Sequence, residues 1–350
     1  MRSFKGRGVA VAISACVALA VGACSSGGDA SSGGTDGVVE PITIGWLDST
    51  LAGEFQQRLY QTATAAAEEL GWEIKTVDTA GDPSKAAAGA VTLANQGVDA
   101  IIMSSVNPSN ARAGLTRAAA KDVPIVMIGS EVDGSLNEEL GIVYYGKKEA
   151  DLTAPLAQAI VDDLAPGDQV GILNSTQLIS GTIRSDGIEG PLKDANIEVV
   201  GTVDTGFAFN DALGNANSLI AQNPNLKAIV PVYDIWTAPV VAAVKASGRD
   251  IKVYPFEADP VNVKLMRENP SMIPALTDGN LIDSPLIAFD QLLKHFVEGQ
   301  DLDPNAADGA FDMSAIRFEQ LPPGSQNGPV AMQDALQPYL DRWNASYQLP

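Results

Sequence analysis

A strand-like run of apolar residues ends in a small polar group at Gly129, Ser130 and Glu131. The run PIVMIG (124–129) is apolar after its proline, and the polarity changes at its end. In an open parallel sheet, ligands are met just beyond the carboxyl ends of the strands. This position therefore predicts part of a ligand site, with Ser130 as a candidate contact. Whether Glu131 turns towards that site is left open by the sequence.

Catalysis is the competing interpretation, and the residue types offer it little. His295 is the sole histidine and lies in the helical stretch AFDQLLKHFVEG, which favours a surface or helix-end role. The sequence has no Gly-x-Ser-x-Gly elbow, no His-Glu-x-x-His zinc motif and no dinucleotide fingerprint after a first strand. Two carboxylates across a cleft would suit glycoside hydrolysis, which is the remaining enzymatic alternative. We predict a binding protein without enzymatic activity, cofactor or metal.

The amino terminus predicts export. Three basic residues precede an apolar run from Val9 to Ala20, which is too short to cross a bilayer and is typical of a signal peptide covering residues 1–23. The following Val-Gly-Ala-Cys resembles the bacterial lipobox, which implies cleavage before Cys24 and acylation, such as palmitoylation, of its thiol. Residues 24–40 are rich in glycine and serine at their start and predict a flexible tether.

Cysteine and charge content exclude several classes of function. Cys16 lies in the predicted signal peptide, so Cys24 would be the only mature cysteine and no internal disulfide or thiolate metal cluster is expected. The chain has 43 acidic and 22 basic residues, a formal net charge of −21. Such an acidic chain is not expected to bind nucleic acid, which requires a positive surface.

The order of apolar runs predicts an α/β fold with parallel sheets. Short strands alternate with helical segments from Pro41 onwards, and after a break at IVYYG (142–146) the same rhythm resumes. Buried strands separated by helices are typical of right-handed βαβ units. We predict two Rossmann-like doubly wound lobes, the first formed by 41–145 and about 279–310, the second by 146–278 and a tail, 311–350. Crossovers near 141–146 and 278–284 would form the hinge beside a cleft.

Several runs resemble one family, the sugar-type (type I) periplasmic binding proteins of ABC importers. The most telling are GVDAIIM and VPIVMI in the first half, supported by DQVGILNS, RSDGIEGPL and KAIVPVYDIW in the second. The resemblance covers roughly residues 41–300. It implies that one small polar ligand binds between two lobes, which close over it and dock on a membrane permease driven by an ATPase. It also implies a monomer held at the outer face of the membrane by its lipid.

The resemblance places candidate contacts of the first lobe after its strands. The loop WLDSTLAGEF offers Asp48, Ser49 and Phe55, although core packing is an equal alternative for the phenylalanine. MSSVNPSN offers Ser104 and Asn107, with a helix N-cap as the rival role for Asn107. Gly129-Ser130 stands where ribose- and galactose-type relatives commonly place Asp-Arg, so the usual clamp on ring hydroxyls is missing.

The resemblance places the second-lobe candidates in the same way. ISGTIRSDGIEG supplies Arg184 or, two residues earlier, Thr182. The other candidates follow predicted strands and combine aromatic faces with carboxylates: Tyr233, Asp234, Trp236, Glu257 and Asp278. Carboxylates accept hydrogen bonds from vicinal hydroxyls, and aromatic faces suit the C–H faces of a carbohydrate or a cation.

This set of side chains disfavours an anionic ligand, because it contains four or five acids and at most one arginine. We predict capture of a small polyhydroxylated solute, a sugar or sugar alcohol, for delivery to an ABC permease. A cationic or other small solute remains an alternative, as does sensing for a membrane receptor instead of transport.

Overall fold

The computed structural model describes residues 37–131, 135–176, 179–206, 208–278, 282–311, 314–321 and 331–350. The predicted signal peptide, Cys24 and most of the predicted tether lie outside these residues. Within the described ranges, no helix is both long enough and apolar enough to cross a membrane.

The first lobe is built on a five-stranded parallel sheet with the order β2-β1-β3-β4-β5. Its central strands are entirely buried, as their continuous apolar runs require in a sheet covered on both faces. The strands are β1 (Thr43–Asp48), β2 (Glu73–Asp78), β3 (Ala100–Ser104), β4 (Ile125–Ile128) and β5 (Ile142–Tyr145). The helices between them are α1 (Glu54–Leu70), α2 (Pro83–Gln96), α3 (Pro108–Ala119) and α4 (Ser135–Leu140).

The second lobe repeats this architecture with a parallel sheet in the order β7-β6-β8-β9. Its strands are β6 (Gln169–Asn174), β7 (Glu198–Asp204), β8 (Leu226–Pro231) and β9 (Lys252–Val253). Its helices are α5 (Glu149–Asp163), α6 (Ile179–Asp194), α7 (Phe209–Gln222), α8 (Thr237–Ser247) and α9 (Pro260–Glu268). An antiparallel pair, β10 (Ala275–Asp278) and β11 (Ser314–Arg317), packs against α5 beside it.

The hydrophobic core follows the two lobes. One buried cluster fills the second lobe, whereas the first sheet carries a cluster on each face. The first sheet has two clusters because successive side chains of a strand point to opposite faces of the sheet. On β1, Trp46 belongs to one first-lobe cluster and its neighbour Leu47 to the other. The prediction of two doubly wound α/β lobes is confirmed.

The first crossover lies slightly later in the chain than predicted. The IVYYG break is not a linker, because Ile142–Tyr145 pairs in parallel with β4 and forms the edge strand of the first sheet. Residues 146–148 then lead into α5 of the second lobe. The chain returns through α10 (Asp283–Glu298), whose buried face packs in the first lobe.

The end of the tail packs on the first lobe, whereas we had expected it to pack on the second. β11 does pair with β10, but α11 (Met332–Ser346) contacts α1 and α10. Trp343 is fully buried there, and its indole Nε1 donates a 2.9 Å hydrogen bond to Asp290 Oδ1. The helix therefore completes the first-lobe core. Its amphipathic sequence predicts a buried face but does not specify the lobe against which that face packs.

Asp290 is expected to tie α11 to the fold in a pH-dependent manner. Burial opposes its ionisation, but hydrogen bonds from Lys294 and Trp343 and the charge of Arg342 outweigh burial and lower its pKa. Asp290→Asn should therefore lower the free energy of unfolding at pH 7 by about 1–3 kcal/mol. A lowered pKa stabilises the folded state above the unfolded value near 4, so the difference should shrink as the pH falls below about 4.

Urea denaturation of both proteins at pH 7 and pH 3.5 measures this effect. Asp341→Asn, on an exposed position of α11, is the matched control and should change little. An Asp290→Asn protein as stable as the wild type at pH 7 would contradict the proposed role of this carboxylate.

Candidate functional site

The first-lobe wall of the predicted cleft is centred on Asp48, which ends β1 beside the end of β3. The two strands are in register there, so Asp48 lies opposite Ser104, and both side chains are buried. Asp48 Oδ2 accepts a 2.8 Å hydrogen bond from Trp46 Nε1, and Oδ1 accepts one of 3.0 Å from the Thr50 backbone. Burial nevertheless raises the pKa of Asp48 to about 7. The two predicted residues are brought together, and the carboxyl group titrates near neutral pH.

The Gly129-Ser130 pair forms the neighbouring part of this wall. Gly129 has a φ of +85°, and a Cβ atom there would overlap the Ser105 hydroxyl, so the position requires glycine. Ser130 Oγ donates a 3.4 Å hydrogen bond to Ser105 Oγ. Glu131 turns away from this pair towards α5, where it accepts a hydrogen bond from the Glu149 backbone. The wall at the end of β4 is therefore compact and uncharged.

Three first-lobe candidates have identifiable structural roles. Asn107 is the N-cap of α3, and its Oδ1 accepts a 2.9 Å hydrogen bond from the Ser109 backbone. This supports the N-cap alternative. Phe55 is half-buried and packs against the first-lobe core, and the backbone of Ser49 bonds with Ser104 and Gly81.

The second-lobe wall contains four buried charged side chains, which we call the charge cluster: Lys147, Glu149, Arg184 and Glu257. Arg184 Nε lies 2.7 Å from Glu149 Oε2, and its Nη2 lies 2.8 Å from Glu257 Oε1. Lys147 Nζ lies 3.2 Å from both carboxylate oxygens of Glu257. A third guanidinium hydrogen bond, 2.8 Å long, reaches the Val232 carbonyl. Two cations and two anions therefore balance each other inside the protein.

Glu257 occupies a strained backbone position within this cluster. Its backbone φ is +66°, a value that residues other than glycine rarely adopt. Asn262 fixes the turn by donating hydrogen bonds of 2.9 Å to the carbonyls of Phe256 and Glu257. Burial would raise the pKa of Glu257, but Lys147 and Arg184 outweigh it and lower the pKa, so the group is ionised. Such strain is typical of functional positions.

Tyr233 and Trp236 have different surroundings. Tyr233 is half-buried, and its hydroxyl lies 2.9 Å from Ser180 Oγ. Trp236 is fully buried in the second-lobe core, where its Nε1 donates a 3.0 Å hydrogen bond to the Gly206 carbonyl. The prediction that its ring faces a ligand is corrected accordingly, because it packs edge-on against Tyr233, 5.0 Å between centroids.

Asp234 lies beside a second acid, Asp259, which joins the two lobes. Asp259 Oδ1 is 2.6 Å from Nη1 of Arg58 on α1 of the first lobe. Burial and the proximity of Asp259 raise the pKa of Asp234. Burial also raises the pKa of Asp259, although Arg58 opposes the shift. The ion pair therefore links the two lobes.

The structure describes the side chains of two of the three remaining candidates. Of the two alternatives on α6, Thr182 is exposed and Arg184 is the one that enters the charge cluster. Asp278 ends β10, and its side chain lies outside the described part of the molecule. Among the described residues, no group of three or more possible ligands could hold a metal ion.

Four residues of the site were missed by sequence reasoning: Arg58, Lys147, Glu149 and Asp259. Lys147 and Glu149 belong to KKEAD, which begins a helix and looks like an ordinary solvated start. Asp259 precedes a proline at the first position of α9, which is typical of an N-cap. One signal was present for three of them, since Lys147 and Glu149 lie at the start of a helical segment and Asp259 lies close to the candidate Glu257. Arg58 lies inside α1 and had no such signal.

The family model described as the periplasmic binding protein domain matches residues 44–272. The chain belongs to this family. It is thus an extracytoplasmic binding protein and not an enzyme, as predicted. Similar curated periplasmic binding proteins include the ribose import binding protein of Bacillus subtilis, 26% identical over 62% of this chain and 70% of that protein. The D-apiose import binding protein of Actinobacillus succinogenes is 23% identical over 56% and 63%, respectively.

Solved periplasmic binding proteins share the fold. A solute binding protein from Agrobacterium vitis with bound allitol superposes with a TM-score of 0.67 at 21% identity, covering 76% of this chain and 92% of that one. The 5-methylthioribose binding protein of Thermotoga lettingae gives a TM-score of 0.70 at 17% identity, covering 85% and 92%. At these identities the likeness establishes the two-lobed architecture.

Proposed function

We propose that this periplasmic binding protein captures an uncharged polyhydroxylated solute, a sugar or sugar alcohol, between its lobes and delivers it to an ABC permease. One observation carries the choice of ligand class: the cations found at the candidate site are already paired with carboxylates. Lys147 and Arg184 are bound within the charge cluster, and Arg58 pairs with Asp259.

An anionic ligand would meet no suitable partner among these described residues. A sugar phosphate or sugar acid requires cationic or amide donors that are available to it. Recruiting Arg184 or Lys147 would leave Glu149 or Glu257 as an uncompensated buried charge, which costs several kcal/mol. An anion is therefore disfavoured by the existing pairs and by the acids beside them.

The side chains of both lobes at the candidate site suit hydroxyl groups. A carboxyl group with a pKa near 7, as at Asp48, is present both protonated and ionised at neutral pH, so it can donate as well as accept. Asp234 has a raised pKa for the same reason of burial, and Ser104, Ser130 and Tyr233 add hydroxyls. Sugar hydroxyls also donate and accept, which makes the two sets complementary.

The relatives support the same ligand class. Several relatives are named for ribose, D-apiose, D-ribose/D-allose, galactofuranose or 5-methylthioribose, and one structure contains bound allitol; all of these are uncharged polyhydroxylated molecules. The mechanism we propose is closure of two lobes around such a solute. Closure is stabilised by ligand contacts to both lobes and by the ion pair between Arg58 and Asp259.

We further propose that the protein is a monomeric lipoprotein held at the outer face of the cell membrane through Cys24. The support is the signal-like terminus and the Gly/Ser-rich segment that follows it. The described chain begins beside its own carboxyl end, where Gln348 donates a 2.8 Å hydrogen bond to the Gly37 carbonyl. A durable anchor of this type requires more than one acyl chain.

A thermal-shift screen of the mature protein tests the ligand class. We expect D-ribose, D-allose, allitol or a related neutral compound to raise the melting temperature by several degrees, because ligand binding to the folded state alone stabilises it. Sugar phosphates at equal concentration should produce no shift. Stabilisation by polyamines or other amines alone would contradict the proposal and favour a cationic ligand.

A further inference from the structure

The residue that makes the charge cluster neutral comes from the crossover between the lobes. Lys147 is one of three residues that connect β5 to α5, yet its side chain is fully buried. Its Nζ is equidistant, at 3.2 Å, from both oxygens of Glu257. The ammonium group therefore bridges the two oxygens of this carboxylate and occupies hydrogen-bonding positions that a ligand amine would need.

Contacts to the first lobe hold Lys147 at this position. Its carbonyl accepts a 2.8 Å hydrogen bond from the hydroxyl of Tyr144, which also lies 3.2 Å from the Gly129 carbonyl. The backbone of Lys147 is thereby tied to the end of β4, where Gly129-Ser130 forms the compact wall. The ammonium is a fixed part of the site and not a mobile surface charge.

Charge balance defines what the ammonium excludes. With Lys147, the cluster contains two cations and two anions; without it, one negative charge would remain uncompensated. A ligand amine that approached Glu257 would find its place occupied and would add a third cation to a neutral buried group. Burying such an unpaired charge is strongly unfavourable.

We propose that Lys147 is a specificity-determining residue whose ammonium group occupies the position of a ligand amine beside Glu257, so that the cleft selects uncharged polyols over amino sugars. This inference rests on the proposed function, because it assumes that a polyhydroxylated ligand binds against this wall. It assigns to the crossover a role in ligand choice in addition to its role in connecting the lobes.

Calorimetric titration with matched probes tests this role. The neutral probes are D-ribose, D-allose and allitol, and their partners are 2-amino-2-deoxy-D-ribose, 2-amino-2-deoxy-D-allose and 1-amino-1-deoxyallitol. The wild type should bind the neutral member of a pair at least tenfold more tightly than the amine. Lys147→Ala removes the ammonium and opens space, so the preference should fall by at least tenfold and the amine should bind more tightly than to the wild type.

A second substitution of Lys147 distinguishes the effect of opening space from the effect of removing charge, and a substitution of Lys148 is the control. Lys147→Met removes the same charge but fills the space, so its gain in affinity for the amine should be clearly smaller than that of Lys147→Ala. Lys148→Ala changes the exposed neighbouring lysine and should leave the wild-type preference unchanged. An equal gain in the methionine and alanine variants would overturn the claim that the ammonium occupies the position of a ligand amine.

If Lys147→Ala does not fold, the affinities of the wild type for the neutral and amine probes still test the role of Lys147. Equal affinity of the wild type for a neutral probe and its amine would overturn the role of Lys147. The absence of binding by every neutral sugar and alditol would instead count against the proposed function. The two failures therefore have different signatures.

Discussion

Replacing Arg184 with alanine should lower the free energy of unfolding by about 3–5 kcal/mol, because it removes the cation paired with Glu149 and leaves one negative charge uncompensated in the protein interior. Arg184 bonds to Glu149, to Glu257 and to the Val232 carbonyl, and its guanidinium lies 4.9 Å from the centre of the Phe256 ring. Loss of this side chain removes the charge and the packing together. Denaturant unfolding monitored by circular dichroism measures the effect.

A surface ion pair provides the matched control. Arg112 contacts both oxygens of Glu139, at 2.6 and 2.8 Å, but the two side chains are 55% and 53% exposed. Arg112→Ala should therefore cost only about 0–1 kcal/mol despite the similar geometry. Equal losses in the two variants would show that the charge cluster contributes no more than a solvated pair. The role of burial would then be refuted.

Replacing Arg58 with alanine should weaken ligand binding by about 5- to 30-fold, on the order of 1–2 kcal/mol. Arg58 is the first-lobe partner of Asp259, and their 2.6 Å contact joins the two lobes. In the closure mechanism that we propose, opening the lobes would break it. Its loss should increase the population of the open form, and the apparent affinity falls with the fraction of closed protein. Calorimetry with the neutral sugar selected by the thermal-shift screen measures the affinity.

Small-angle X-ray scattering of the ligand-free protein provides an independent readout of this effect. The radius of gyration of Arg58→Ala should exceed that of the wild type, and saturating ligand should reduce the difference. Arg117→Ala, which changes an exposed arginine on α3 bonded to Asn95, is the control for removing one positive charge. An unchanged radius together with unchanged affinity in Arg58→Ala would refute its role in closure.

The two-lobed fold was predictable because its strands are marked locally. Runs such as VDAIIM and PIVMIG are apolar throughout, as parallel strands covered on both faces must be. The edge strand β5 was mistaken for a linker because IVYYG is short and mixed, and only its pairing with β4 defines it as a strand. The position of α11 was not predictable either, since an amphipathic helix does not specify which lobe accepts its apolar face.

The candidate site was predictable in position but not in pairing. Strand ends marked Asp48, Asp234 and Glu257 because the carboxyl edges of parallel strands form the binding face. The sequence could not show that Glu257 is neutralised by Lys147, because the two residues are 110 positions apart and meet only through the crossover. The sequence therefore overestimated the net negative charge of the candidate site, because it did not show that Glu257 is paired with Lys147.

The structure of the protein bound to its neutral sugar or alditol tests the ligand class and its location most directly. We expect one ligand between the lobes, with hydroxyls bonded to Asp48 of the first and Asp234 of the second, while Lys147 and Arg184 retain their contacts with Glu257. A bound anion that draws Lys147 or Arg184 away from Glu257, or a ligand held outside the cleft, would contradict the proposed function.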